Sequence, residues 1–186
     1  DNFSENLYSQ QMSREEQVPG LFAEYTLKPS ENFTMLAGIR TDFHNLFGTF
    51  VTPRMHFRYN LGKFITIRGS AGKGYRTANV ISENNYLLAN ARPLQWTEDV
   101  FQEKAWNYGF TGVPNYALWG RELQINTEYF RTDFQKQLVV DRETSAEHII
   151  LAPLDGKSYS NSLQFDVRYQ PVERLDVLLA YRHNDV

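Results

Sequence analysis

The stretch Glu103 to Gln137, EKAWNYGFTGVPNYALWGRELQINTEYFRTDFQKQ, holds two alternating segments around a turn-rich centre. In the first, Trp106, Tyr108 and Phe110 share one parity, and Glu103, Ala105, Asn107 and Gly109 take the other. In the second, Leu123, Ile125, Thr127 and Tyr129 oppose Glu122, Gln124, Asn126 and Glu128. A period of two places each set on its own face of a strand. One face is aromatic and aliphatic; the other is more polar than a packed interior accepts. An apolar outside around a wet inside is the pattern of a transmembrane β-barrel wall. The predicted fold class is therefore all-β, an antiparallel membrane barrel wall of about eight up-and-down strands.

The same rhythm recurs along the chain. Strands are predicted at about Gly20–Lys28, Phe33–Phe43, Val51–Tyr59, Phe64–Gly74, Lys157–Tyr169 and Arg174–Arg182, besides the two above, which Pro114 to Gly120 joins. The third is the most telling. Pro53, Met55, Phe57 and Tyr59 alternate with Arg54, His56 and Arg58, so a fully apolar face backs a row of ionisable residues. The eighth alternates least cleanly, since Leu178 and Ala180 fall on its polar parity. After Phe130 the pattern slips, with Phe134, Leu138 and Val140 on the other parity, and a β-bulge is expected near there.

The connections sort by length. Short turns are predicted at 29–32, 60–63, 114–119 and 170–173, and longer loops at 1–17, 44–50, 75–102 and 141–156. Short turns at one end and long loops at the other are a mark of outer-membrane barrels. The expected strand lengths, mostly about 9–11 residues, suit a tilted bilayer crossing. A helical turn is expected near Tyr86 to Ala91, inside the longest loop.

Composition narrows function. The net charge is -3 over 186 residues and the basic residues are scattered, which gives no footprint for nucleic acid. There is no cysteine, so disulfide frameworks and thiolate metal sites do not apply. No apolar run reaches the ~18 residues of a membrane-spanning helix, a test blind to alternating strands. The opening residues, DNFSENLYSQQMSREEQ, do not read as a signal peptide.

The chemistry-bearing candidates are few. Gly69 to Gly74 superficially resembles a phosphate cradle, but Lys73 is followed by Gly74 and the context is a strand. The histidines at 44, 56, 148 and 183 lack metal-ligand spacing, and no nucleophile motif occurs. No catalytic residue, metal site or cofactor is expected, and no enzymatic activity. Arg40, Arg54, Arg58 and Arg68, with His56, form a basic polar face. It could attract an anionic ligand, because a low-dielectric wall focuses the field. The preferred reading is that it pairs with Asp42, Glu122, Glu128 and Asp166 on neighbouring strands. In the long loop, Tyr75, Arg76, Tyr86, Arg92 and Trp96 are further candidates, being residue types common at binding hot spots.

Gly38-Ile-Arg40-Thr-Asp42, Thr52-Pro53-Arg54, Arg68-Gly-Ser-Ala-Gly72-Lys-Gly74-Tyr75-Arg76 with Asn79, then Glu103-Lys-Ala-Trp106-Asn107-Tyr108-Gly109 and Tyr129-Phe130-Arg131-Thr-Asp133-Phe134 follow one another in an order that resembles the barrel of TonB-dependent outer-membrane receptors. The resemblance is closest over about residues 18–140. It implies a segment of a 22-stranded barrel, with the plug domain outside residues 1–186. It further implies uptake of a ferric siderophore, cobalamin or a glycan across the outer membrane of a Gram-negative bacterium. The partners implied are outer-membrane lipid, the plug of the same parent chain and TonB through that parent. The alternative is a self-contained eight-stranded barrel with a structural or adhesive role.

Overall fold

The computed structural model describes residues 2–7, 10–90, 92–96, 102–154 and 156–186. Eight strands form one antiparallel sheet: β3 (Gly20–Ser30), β4 (Phe33–His44), β5 (Gly48–Leu61), β6 (Ile65–Thr77), β8 (Gln102–Leu118), β9 (Arg121–Lys136), β12 (Ser158–Val172) and β13 (Leu175–Asp185). They lie in the order β13-β12-β9-β8-β6-β5-β4-β3, each beside its neighbour in the chain once the insertions are set aside. The sheet is not closed. β3 and β13 are its two edges, and β13 is exposed along its whole length.

Register fixes the two faces. Across β5, β6 and β8, Tyr59 opposes Ile67, which opposes Gly112; Phe57 opposes Gly69, which opposes Phe110; Met55 opposes Ala71, which opposes Tyr108. These residues share the apolar face, and many have no protein covering them: Leu21 is 73% exposed and Leu179 66%. The polar face carries the opposite parity, with Arg54, His56 and Arg58 set against Gly72, Ser70 and Arg68. A single sheet with one apolar face builds no core of its own, which is the pattern of a transmembrane barrel wall.

The wall strands are 11 to 17 residues long, longer than the crossings predicted. They run on past the ~25 Å apolar band into the predicted turns. Pro114 illustrates this. It was expected to open a turn, yet β8 continues through it to Leu118. The β8–β9 ladder merely lapses after Gly112/Thr127 and resumes in the same register at Asn115/Gln124, because proline brings no N–H to the ladder. The turn itself is Trp119-Gly120, both at positive φ (51° and 78°), the arrangement that matches strand twist in a two-residue hairpin. The expected bulge exists but lies at Gln135: Lys104 faces Lys136 and Ala105 faces Phe134. Phe130 and Phe134 therefore stay on the polar-face parity.

Three predicted loops are corrected. Within 1–17, β1 (Asn2–Leu7) and β2 (Gln10–Glu15) pair antiparallel. The supposed loop 44–50 is a three-residue turn closed by His44 facing Gly48. The span 141–156 contains β11 (Ile149–Pro153), which pairs antiparallel with β10 (Leu138–Asp141) and parallel with β7 (Leu94–Trp96). The helical turn falls at Asn85–Ala89, preceded by one short helix, α1 (Val80–Glu83). Ala91 lies outside the described residues.

This small three-stranded sheet joins the two long connections into one cap. Leu87, Leu94, Ile149 and Leu151 are buried together, with Trp96, Leu138 and Val140 packed against them. Arg92 fastens the cap by donating from Nη1 to the carbonyls of Arg142 and Ser145, each at 3.0 Å. Two further bonds close the seam, from Ile149 N–H to the Pro93 carbonyl and from Leu154 N–H to the Gln137 carbonyl.

Candidate functional site

The polar face holds most of the candidate residues, and register arranges them in rows. Near the cap end, Arg40 forms a bidentate contact with Asp42, Nε to Oδ1 and Oδ2 at 2.8 and 2.9 Å, and the Asp42 side chain is nearly buried. One row further in, Arg54 reaches Glu24 at 2.5 Å although β4 lies between them. Gly38 makes this possible. It sits opposite both residues, and the Arg54 stem lies over it, so that a Cβ there would come within 3.0 Å of Arg54 Nε. Arg76, at the base of the cap, pairs with Glu103 and with Glu83 of α1. The other carboxyl oxygen of Glu103 accepts the N–H of Leu138, at the start of β10. The cap is thereby tied to the wall through one arginine and one glutamate.

Among the described residues, Asp42 alone of the carboxylates expected to answer the basic face does so. Glu122 accepts from Gln124, Glu128 from Asn126, and Asp166 from Gln164. The sequence reading missed Glu24, Glu83 and Glu103 as ion-pair partners. The register could have found Glu103, which faces Arg76 directly.

Deeper in the wall, His56, Arg58 and Arg68 line a depression of about 310 Å³ with Thr34, Ser70 and Thr111. A second hollow, about 450 Å³, opens where the β5–β6 ladder ends at Arg54/Gly72, and it is lined by Arg40, Asp42, Thr52, Arg54 and Tyr75. Strict alternation puts Tyr75 on the apolar parity. Its ring nevertheless lies 4.6 Å from Phe50, of the polar parity, beyond the point where the β5–β6 ladder ends. Lys73 Nζ and Lys104 Nζ stand 5.1 and 5.6 Å from the Tyr75 ring centroid.

The remaining candidates are in the cap. Tyr86 is 58% exposed, whereas Trp96 packs on the apolar cluster and Arg92 is engaged with backbone carbonyls. Asp141 at the end of β10 accepts from the Thr144 hydroxyl and from the N–H groups of Thr144 and Glu143, which together hold its carboxyl below the ordinary value. His44 is buried against Phe47 and its Nδ1 accepts the Leu46 N–H. Among the described residues, no three His, Asp or Glu side chains group as metal ligands. The glycine-rich run Gly69 to Gly74 lies inside β6, not at a helix N-terminus.

A two-faced open wall of long antiparallel strands, short turns at one end and a folded cap at the other, now has a counterpart. Residues 1–185 match the family model described as TonB dependent receptor-like, beta-barrel. The chain belongs to that family. Solved receptors share the fold. The siderophore receptor PirA from Pseudomonas aeruginosa superposes with a TM-score of 0.67 at 20% identity, over 92% of this chain and 35% of that receptor. A mutant of the ferric enterobactin receptor PfeA from the same organism gives 0.67 at 17%, over 94% and 27%. PirA from Acinetobacter baumannii gives 0.61 at 16%, over 89% and 27%. This TonB-receptor barrel chain therefore spans about a third or less of the receptors it resembles. No curated protein matched it.

Proposed function

We propose that this chain is wall and cap of an outer-membrane receptor that imports a nutrient by TonB-dependent transport, with a ferric siderophore as the cargo. The observation that carries this reading is the pairing of an unshielded apolar face with a charged opposite face under a folded cap. The solved neighbours described as siderophore receptors favour that cargo over cobalamin or a glycan. In this reading residues 1–186 are barrel throughout. The plug belongs to the same polypeptide, TonB acts through it, and lipid of a Gram-negative outer membrane covers the apolar face.

The candidate residues take different parts. Tyr86 is open to solvent on the cap and is the first contact for an arriving ligand. Arg40, Arg54, Arg76 and Tyr75 line the way from cap to lumen, each arginine set in place by its carboxylate partner. Arg92 and Trp96 act by holding the cap in shape. A closed eight-stranded barrel would need β3 to pair with β13, and no such pairing occurs among the described residues.

The test is uptake of radiolabelled iron as its ferric siderophore complexes by cells lacking and then regaining the full-length gene. The reading expects uptake restored by the gene and abolished when TonB is removed. Equal iron uptake with and without the gene, for every ferric siderophore supplied, would overturn it.

A further inference from the structure

Arg58 on β5 and Arg68 on β6 are direct cross-strand partners on the polar face. Like charges placed opposite each other in a ladder are destabilising. Each of the other polar-face arginines near the cap has a carboxylate within the structure: Arg40 has Asp42, Arg54 has Glu24, and Arg76 has Glu83 and Glu103. Arg58 and Arg68 have no hydrogen-bond or ion-pair partner among the described residues. The nearest carboxylate along their row is Glu128, beyond Thr111, two strands or roughly 10 Å from Arg68. It already accepts from Asn126 at 3.0 Å.

The polar side chains around the pair can all donate, while Leu36, Phe57, Gly69 and Gly109 complete a largely apolar lining. His56 lies two residues before Arg58 on the same parity, Thr34 faces Arg58, Ser70 faces His56 and Thr111 faces Arg68. All line the depression of about 310 Å³. Two guanidinium forks, an imidazole and three hydroxyls around one hollow match an oxyanion, since arginine binds carboxylate and phosphate oxygens through paired N–H donors. The pair sits three ladder positions from the Leu61/Ile65 end, near the short turns and away from the cap.

We infer that Arg58 and Arg68, with His56, Thr34, Ser70 and Thr111, form an oxyanion site on the lumen face that holds a carboxylate or phosphate group between the two guanidiniums. The anion comes either from an acidic side chain of the same polypeptide or from solution. The inference requires the barrel fold and not the transport reading, and its test does not use uptake.

The experiment measures thermal unfolding of the full-length protein in detergent micelles, as wild type and as the single variants Arg58→Gln and Arg68→Gln. Inorganic phosphate is titrated against chloride at matched ionic strength. A free-anion site gives a saturable rise in unfolding temperature for the wild type that either variant loses. A site filled by the protein's own carboxylate gives no phosphate response, and each variant unfolds at lower temperature. If no anion is held, phosphate does nothing and removing one of two repelling cations leaves the unfolding temperature unchanged or raises it. That last result would overturn the inference. The wild-type phosphate titration and the second single variant keep the test decisive if one variant fails to fold.

Discussion

Phe57 lies over Gly69, its direct partner across the β5–β6 ladder, and occupies the space where a side chain at residue 69 would stand. A Cβ on Gly69 would collide with the Phe57 ring edge. An aromatic ring laid over a cross-strand glycine shields backbone that would otherwise be bare, here on the apolar face. Gly69→Val should therefore cost about 1–3 kcal/mol by overpacking. Pairing it with Phe57→Ala should recover part of that loss. A denaturant titration of the full-length protein refolded into lipid vesicles measures both. Additive losses in the double variant would mean that the two residues do not share this space.

Depth along the apolar face predicts the cost of a charge. Phe110 faces Gly69 in mid-strand, while Tyr108 stacks beside Trp106 and faces Arg131, whose pair with Asp133 marks the edge of the apolar band. Phe110→Arg should destabilise by ~2–4 kcal/mol, and Tyr108→Arg by less. Asn107→Arg, on the lumen face beside Thr132, should be far milder than either. The same refolding titration orders the three, and equal effects at 107 and 110 would refute the face assignment.

The cap is predicted to open separately from the wall. Ile149 is fully buried, in a cluster that among the described residues holds four buried side chains. Ile149→Ala should remove about 2–5 kcal/mol from that unit. Because only the cap depends on the cluster, amide exchange should accelerate in β7, β10 and β11 and stay slow in β5, β6 and β8. Hydrogen-exchange mass spectrometry reads both regions at once.

Asp141 gives the cap a pH limit. Its carboxyl is held below the ordinary value by the Thr144 hydroxyl and two backbone N–H groups. A depressed folded value means that the stabilisation is fully present above the unfolded value, about 3.9, and is lost as pH falls through the lower folded value. The Glu143 and Thr144 amides should stay protected at pH 5 and above, to the extent that their bonds to Asp141 protect them, and lose that protection in acid below about pH 4. Asp141→Asn should flatten this dependence, as exchange measured across that range would reveal.

Much of the wall was legible because one apolar face and one polar face force strict alternation. Arg54, His56 and Arg58 against Met55, Phe57 and Tyr59 admit one reading of the strand, and each of the eight predicted segments falls within a wall strand or overlaps it closely. Turn residues misled at Pro114, where a strand tolerates a missing donor without ending. The cap was not legible because its strands are three to five residues long and pair across the chain: Leu94–Trp96 meets Ile149–Leu151 only after two loops fold together. The Arg54–Glu24 pair escaped for the same reason, since it needs Gly38 from a third strand to let the side chain pass. Arg58 facing Arg68, by contrast, follows from the β5–β6 hairpin register alone.

The central claim is that this chain is a two-faced membrane wall, and since residues 1–186 contain no cysteine, a direct test needs only any cysteine elsewhere in the full-length protein replaced by serine. Single cysteines introduced from Ala105 to Gly112 in the full-length protein, in native outer membranes, would be reacted with a membrane-impermeant maleimide and, separately, probed with a lipid-borne quencher. The account predicts opposite period-two profiles: 105, 107, 109 and 111 labelled from water, and 106, 108, 110 and 112 quenched by lipid. Equal labelling at both parities, or quenching with a helical period, would contradict it.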